Sequence, residues 1–176
     1  MLREFSAGGV VLRWTQGKWW AAVIEPQRET PVDKKPHSRR QPPAVLALPK
    51  GLVDPGEKAE ETAIREVGEE TGVEAELVSK LADIKYFYVR SWGDKQRVFK
   101  IVSFFLLLYR SGRIGEISEE MRIEVKRALW LPLDEAAEKL TYKGERDVLK
   151  KAQEYLQAHP ELDSGHAKPE KARERR

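Results

Sequence analysis

Glu66, Glu69 and Glu70 stand at positions i, i+3 and i+4 of the run Arg65-Glu66-Val67-Gly68-Glu69-Glu70. On a helix that spacing puts all three carboxylates on one face. Like charges so arranged repel by roughly 0.2–0.5 kcal/mol per pair, and a hard divalent cation held through oxygen is the natural offset. Arg65 is spaced to pair with Glu69 one turn on. Residue types and spacing together point to metal-assisted chemistry.

The helix that must carry these groups is expected from about Lys58 to Thr71, with Pro55 and Gly56 in the turn before it and Gly72 as a left-handed C-terminal cap. Ala59, Ala63, Ile64 and Val67 make its apolar arc, and the glutamates fall at the edge of that arc, where a cleft can open. The loop Leu48-Pro49-Lys50-Gly51-Leu52 leads in. Gly51 allows close backbone approach, so its carbonyl can join the carboxylates as an oxygen ligand. Lys50 sets a cation beside the site, suited to a phosphate oxygen. Gly51 and Gly56 share the G-x4-G spacing of a phosphate-binding P-loop, but Glu57 and Lys58 stand where Lys and Ser or Thr are required. A Walker ATPase is excluded.

The stretch Gly51 to Val73 matches the Nudix box, G-x5-E-x7-R-E-U-x-E-E-x-G-U with U apolar, at Gly51, Glu57, Arg65, Glu66, Val67, Glu69, Glu70, Gly72 and Val73. A chance match of this kind is on the order of 1 in 10^6 per window, and the chain is identified as a member of the Nudix hydrolase family. The resemblance implies an α/β fold, an α/β/α sandwich with a mixed sheet in which the box forms loop-helix-loop. It implies Mg²⁺ or Mn²⁺ as cofactor and hydrolysis of a nucleoside diphosphate linked to another group. Glu66 and Glu70 then become metal ligands, Glu69 a ligand or general base, and the Gly51 carbonyl a further ligand. Glu57 and Arg65 would brace the loop and orient the glutamates. Outside the box, Glu124 resembles a downstream glutamate of dinucleoside-polyphosphate hydrolases and is the candidate for an additional ligand or base, with Glu119 and Glu120 as competitors.

Substrate is less sharply marked. Leu48-Pro49-Lys50-Gly51, Ser6-Ala7-Gly8-Gly9-Val10 and Leu140-Thr141-Tyr142 with Arg146, Val148 and Leu149 resemble the bacterial branch that handles diadenosine polyphosphates. That branch shades into diphosphoinositol polyphosphate and 8-oxo-dGTP hydrolases, and ADP-ribose is a further alternative. The motif of NADH pyrophosphatases is absent. Tyr86 and Tyr88 alternate with Phe87, so one strand face would offer both tyrosine rings to a base. Arg90, Arg97 and Lys100 can add cations for a polyphosphate, and Lys50 and Tyr142 complete the candidate substrate contacts. A reading of another class, a non-catalytic Nudix-fold nucleotide-binding regulator, sits poorly with a box that keeps every carboxylate.

The elements around the box read as strands at about 4–14, 19–25, 45–48, 75–90, 98–109 and 128–131, with helices at about 133–140 and 144–158. One domain is expected over residues 1–158, with a charged, mobile tail over 159–176. Residues 25–44 form a proline-rich insert bearing Arg28, Lys34, Lys35, Arg39 and Arg40, either disordered or helping to hold substrate phosphates. Absence of cysteine excludes disulfides and thiolate zinc and suits a reducing cytoplasm. His37, His159 and His166 lack ligand spacing. The longest apolar run, 101–109, is too short for a bilayer, no signal peptide opens the chain, and a net charge of +3 implies no general affinity for nucleic acid.

Overall fold

The computed structural model describes residues 1–27, 43–91 and 93–165. Apart from its two ends, the proline-rich basic insert lies outside these residues, as do Trp92 and the end of the tail. Six strands form one sheet: β1 (Leu2–Thr15), β2 (Lys18–Pro26), β3 (Lys50–Leu52), β4 (Val73–Val89), β5 (Arg97–Gly112) and β6 (Val125–Pro132). Their order is β4-β5-β1-β2-β6, with β3 paired to β1. β1 runs parallel to β5 and antiparallel to β2 and β3, so the sheet is mixed, as expected.

Alternation along the central strand builds two cores. Val10 and Leu12 of β1 join Phe104, Leu106 and Leu108 of β5 beneath α2 (Leu133–Lys139) and α3 (Lys143–Ala158). Ala7 and Val11 turn the other way, with Phe105 and Leu107, onto α1 (Ala59–Thr71). Helices cover both faces, which is the α/β sandwich. No helix among the described residues is long and apolar enough to cross a membrane.

The centre of β1 has almost no side chain. A Cβ at Gly8 would lie 2.4 Å from the Pro49 carbonyl oxygen, and one at Gly9 would lie 2.7 Å from Val67 and 2.5 Å from Leu107. The paired glycines let the loop before the box press onto one face of β1 and α1 onto the other.

β5 and β6 extend up to three residues beyond the expected 98–109 and 128–131, and two regions differ in kind. The strand expected at 45–48 reduces to a single bridge, Ala47 with Ile24, and regular pairing starts only at Lys50. Pro49 offers no amide hydrogen, and its carbonyl instead accepts from Gly9 N–H at 3.1 Å. Residues 159–165, expected in a mobile tail, carry a short helix α4 (Glu161–Gly165). Leu162 packs on the larger core, and Trp19 Nε1 donates to Asp163 at 2.9 Å.

α1 ends as its sequence dictates. Gly72 takes φ +84°, and its amide donates to Gly68 carbonyl at 2.9 Å. A Cβ there would meet the carbonyl oxygens of Glu116 at 2.4 Å and Arg113 at 2.8 Å. Gly72→Ala should therefore lower stability by about 1–3 kcal/mol, read as a fall in the urea midpoint at unchanged slope.

Candidate active site

The buried arc of α1 is rotated relative to the expected one. Thr62, Ala63, Glu66, Val67, Glu70 and Thr71 are buried, while Ile64 is 41% exposed. Ala63 and Val67 hold the arc as expected and Ala59 packs against it, so Ile64 alone falls outside and the packed face turns toward Glu66 and Glu70. As a result Glu66 and Glu70 lie within the packed face and not merely at its border. Both point at β3. A Cβ on Gly51 would sit 2.1 Å from the Glu66 carboxyl, so only glycine leaves that carboxylate room. The Lys50 amide donates to Glu70 Oε2 at 3.1 Å.

Arg65 organises the other side chains. Its Nε donates to Glu57 at 2.8 Å and its Nη1 to Glu66 at 2.9 Å and Glu69 at 3.1 Å. Its Nη2 donates to the Leu52 carbonyl at 3.1 Å and Glu57 Oε1 at 2.9 Å, and lies 3.4 Å from Asp54. Glu57 also accepts from the Thr62 hydroxyl. The Arg65 guanidinium, then that hydroxyl, hold the Glu57 carboxyl down at about 2.

Glu70 has the opposite fate. Burial first, then the Glu66 and Glu124 charges, push it up to about 8 against the Lys50 amide bond. It has no ion-pair partner among the described residues. Burial also raises Glu66, opposed by Arg65 and reinforced by Glu69 and Glu124. Glu124, exposed at the end of a single 3-10 turn (Met121–Ile123), is thus the downstream carboxylate felt by both box glutamates, ahead of Glu119 and Glu120. Among the described residues no three His, Asp or Glu side chains are already drawn together as a metal cage. The donor chemistry nonetheless fits a hard cation, since the buried Glu70 carboxylate sits among like charges with no salt bridge of its own among the described residues, the Lys50 charge only partly offsetting them.

A second group of side chains shares the face of β3 that carries Lys50. Tyr86 pairs across β5 with Lys100, and Lys100 pairs across β1 with Glu4. The Tyr86 and Tyr88 rings are 6.4 Å apart, and the Lys50 ammonium lies 5.6 Å from the Tyr142 ring centre. Burial, with the like charge of Lys50, lowers the Lys100 ammonium against Glu4. Burial works the same way on Lys50, but Glu145 overrides it and raises that ammonium. Arg97 does not join them: it pairs with Val89 and stacks over Phe87 at 5.0 Å on the opposite face, by strand alternation. Arg90 lies 3.6 Å from Glu4 and its side chain also bonds the Tyr88 hydroxyl.

Glu145 and Glu4 were missed by the sequence reading. Glu145 is 3% exposed, and its Oε2 lies 2.8 Å from Lys50 Nζ. The signal was present, since Glu145 shares the stripe of Val148, Leu149, Ala152 and Leu156 on α3. Glu4 carried no comparable sign in a strand that alternates weakly at its start.

Sheet, helices and acidic rim define the class: an α/β/α sandwich domain whose helix carboxylates gather beside the short strand β3. Residues 7–152 match the NUDIX domain, and the chain belongs to the NUDIX family, hydrolases acting on phosphoanhydrides. It is 35% identical over 155 residues to a Mycobacterium tuberculosis protein assigned provisionally as mutator protein MutT4, covering 88% of this chain and 56% of that relative, little more than half its length. It is 33% identical over 119 residues to the mouse asymmetrical bis(5'-nucleosyl)-tetraphosphatase, covering 64% of this chain and 72% of the mouse enzyme. The fold superimposes on a binary complex of the C. elegans Ap4A hydrolase with a TM-score of 0.57 at 22% identity, over 88% of this chain and 98% of the other.

Replacing Arg65 by Lys removes the planar fork. The Glu57 carboxyl should then rise from about 2 toward the ordinary 4.5, a change that a ¹³C NMR pH titration of the Glu57 side chain would detect.

Proposed function

We propose that residues 1–158 form a Mg²⁺- or Mn²⁺-dependent pyrophosphohydrolase. It cleaves a phosphoanhydride in a nucleoside diphosphate linked to another moiety, foremost a dinucleoside polyphosphate of the Ap4A kind or a nucleoside triphosphate. The observation that carries this reading is Glu70: a buried carboxylate held at about 8, among like charges and at hydrogen-bond distance from the loop that bears Gly51. Glu66, Glu70, Glu124 and the Gly51 carbonyl supply oxygen ligands, with Glu69 beside them. When bound, a divalent cation neutralises charge on phosphoryl oxygens and eases deprotonation of water.

The chain's own groups do the rest. Glu69 is the most exposed box glutamate bonded to Arg65, its side chain 43% exposed, which suits taking a proton from the attacking water. Glu57 and Arg65 fix the loop and helix so that Glu66 and Glu69 keep their orientation. Lys50 and Lys100 offer charge to the phosphate chain, and Tyr86, Tyr88 and Tyr142 offer rings for a base to stack on. Arg97 faces away from this group and takes no part in the reading. The named activities of the mouse and nematode relatives favour a dinucleoside polyphosphate. No nucleic-acid partner is invoked, and a reducing cytoplasm is the proposed compartment, since the chain lacks cysteine.

A panel of Ap4A, nucleoside triphosphates, 8-oxo-dGTP, ADP-ribose and diphosphoinositol polyphosphate tests the reading. Ap4A is expected to give the highest kcat/KM, and no Mg²⁺-dependent turnover of any member would sink it. Glu69→Gln and Glu70→Gln should each lower kcat by at least about 10²-fold, measured by phosphate release or product chromatography.

pH gives an independent check. Without metal, Glu70 keeps its proton below about 8, and a cation must displace that proton. Apparent Mg²⁺ affinity should therefore climb as pH rises through neutrality toward 8, with proton release visible by calorimetry in two buffers. The folded state binds the extra proton between 4.5 and about 8, so the metal-free protein should lose thermal stability as pH rises across that window, and Mg²⁺ should restore it.

A further inference from the structure

Segment 46–50 delivers Lys50 and Gly51 to the acidic rim, and the junction of α2 and α3 fastens it there. Thr141 N–H donates to the Leu46 carbonyl at 3.0 Å, and Leu46 N–H returns a bond to Thr141 Oγ1 at 2.9 Å. Two residues on, Leu48 N–H donates to Glu145 Oε1 at 2.6 Å. Two further, Lys50 Nζ donates to Glu145 Oε2 at 2.8 Å. Arg146 closes the junction itself, its Nη1 donating to the carbonyls of Leu140 at 2.8 Å and Thr141 at 2.9 Å.

Glu145 is almost wholly buried, and a buried charge is retained at a cost unless a partner and hydrogen bonds compensate it. Both of its oxygens are engaged, one by a backbone amide and one by an ammonium, and both donors belong to the same short segment. The chain of contacts then continues. The residue whose ammonium Glu145 holds is the residue whose amide donates to Glu70. An aliphatic residue at 145 would fit the α3 stripe equally well, so packing alone does not explain a carboxylate there.

We propose that Glu145 is a positioning residue for the acidic site: through Leu48 and Lys50 it sets the height of the loop against α1, and it aims the Lys50 ammonium over the sheet face shared with Lys100 and Tyr86. This rests on the reading above for the cation and phosphate the site receives, but the mechanical link from α3 to the loop does not. Glu145 acts on neither phosphate nor metal directly in this proposal, since both of its oxygens are taken by Leu48 and Lys50. Its influence travels through one side chain and one amide.

Amide hydrogen exchange on the metal-free full chain tests the link directly. Glu145→Ala is expected to speed exchange at Leu48 and Lys50 by at least about 10-fold, with the central-strand amide of Leu107 unchanged. Glu145→Gln keeps an acceptor for the Leu48 amide and nearly the same volume, so it carries the test if Glu145→Ala does not fold. It should leave Leu48 exchange within about threefold of wild type. It should raise KM for the hydrolysed nucleotide about 10-fold with kcat little changed, because Lys50 is no longer aimed. In a Lys50→Met background the same change should add nothing to KM. Wild-type exchange at Leu48 and Lys50 in Glu145→Ala overturns the proposal whether or not a nucleotide is turned over. So does an equal rise in KM with and without Lys50. If the wild-type protein hydrolyses no nucleotide, the functional reading falls, and the exchange rates alone decide the role of Glu145.

Discussion

One guanidinium holds the acidic helix together. Arg65 reaches Glu57, Glu66, Glu69, Asp54 and the Leu52 carbonyl, and so ties the loop before α1, the helix and the end of β3 to a single planar group. Without it, the loop carboxylate Glu57 and the helix carboxylates Glu66 and Glu69 would repel across a few ångströms of partly dry protein. Its reach also divides the glutamates. Those it touches share one cationic partner, whereas Glu70, beyond its reach, is left buried and proton-retaining. The asymmetry between carboxylates that share Arg65 and the one that does not is what the proposed cation site rests on.

Much of this was legible in the residues. The box fixed the helix, its left-handed cap at Gly72 and the carboxylate face, because those depend on spacing within a single element. The alternation that separates Tyr86 and Tyr88 from Phe87 follows from strand geometry alone, and the pairing of Tyr86 with Lys100 and Phe87 with Phe99 agrees with it. Illegible features were those set by a distant partner. Ile64 looked like core because it is apolar, yet close packing of Val67 against Gly9 decides which way α1 is turned. Glu145 looked like an ordinary helix carboxylate because its two donors lie far away in sequence. Glu124 could not be ranked above Glu119 and Glu120 until the β2–β6 pairing brought its turn beside residues 25–27, where Gln27 N–H donates to its carbonyl at 2.8 Å.

The basic and aromatic group beside the acidic rim has its own charge logic. Neither lysine in it is bare: Lys50 is bound to Glu145, and Lys100 feels Glu4, which Arg90 and the Tyr88 hydroxyl also engage. Two cations placed alone on a half-buried sheet face would repel one another and lose hydration. Glu145 bonds Lys50 and raises it, while Lys100, still lowered by burial, is opposed by the charge of Glu4, and the proposed phosphate would meet a Lys50 already held in place. Such pre-arrangement trades some raw attraction for a smaller loss of side-chain freedom on binding.

The clasp between α3 and the loop spans a long stretch of chain: Leu48 and Glu145 are 97 positions apart. Closing so large a loop is entropically unfavourable until the intervening strands have collapsed. On the ribosome the box emerges early, yet the carboxylate that steadies its leading loop is synthesised only after every strand of the sheet. A nascent chain therefore holds all the box glutamates well before α3 can fasten the loop that leads to them.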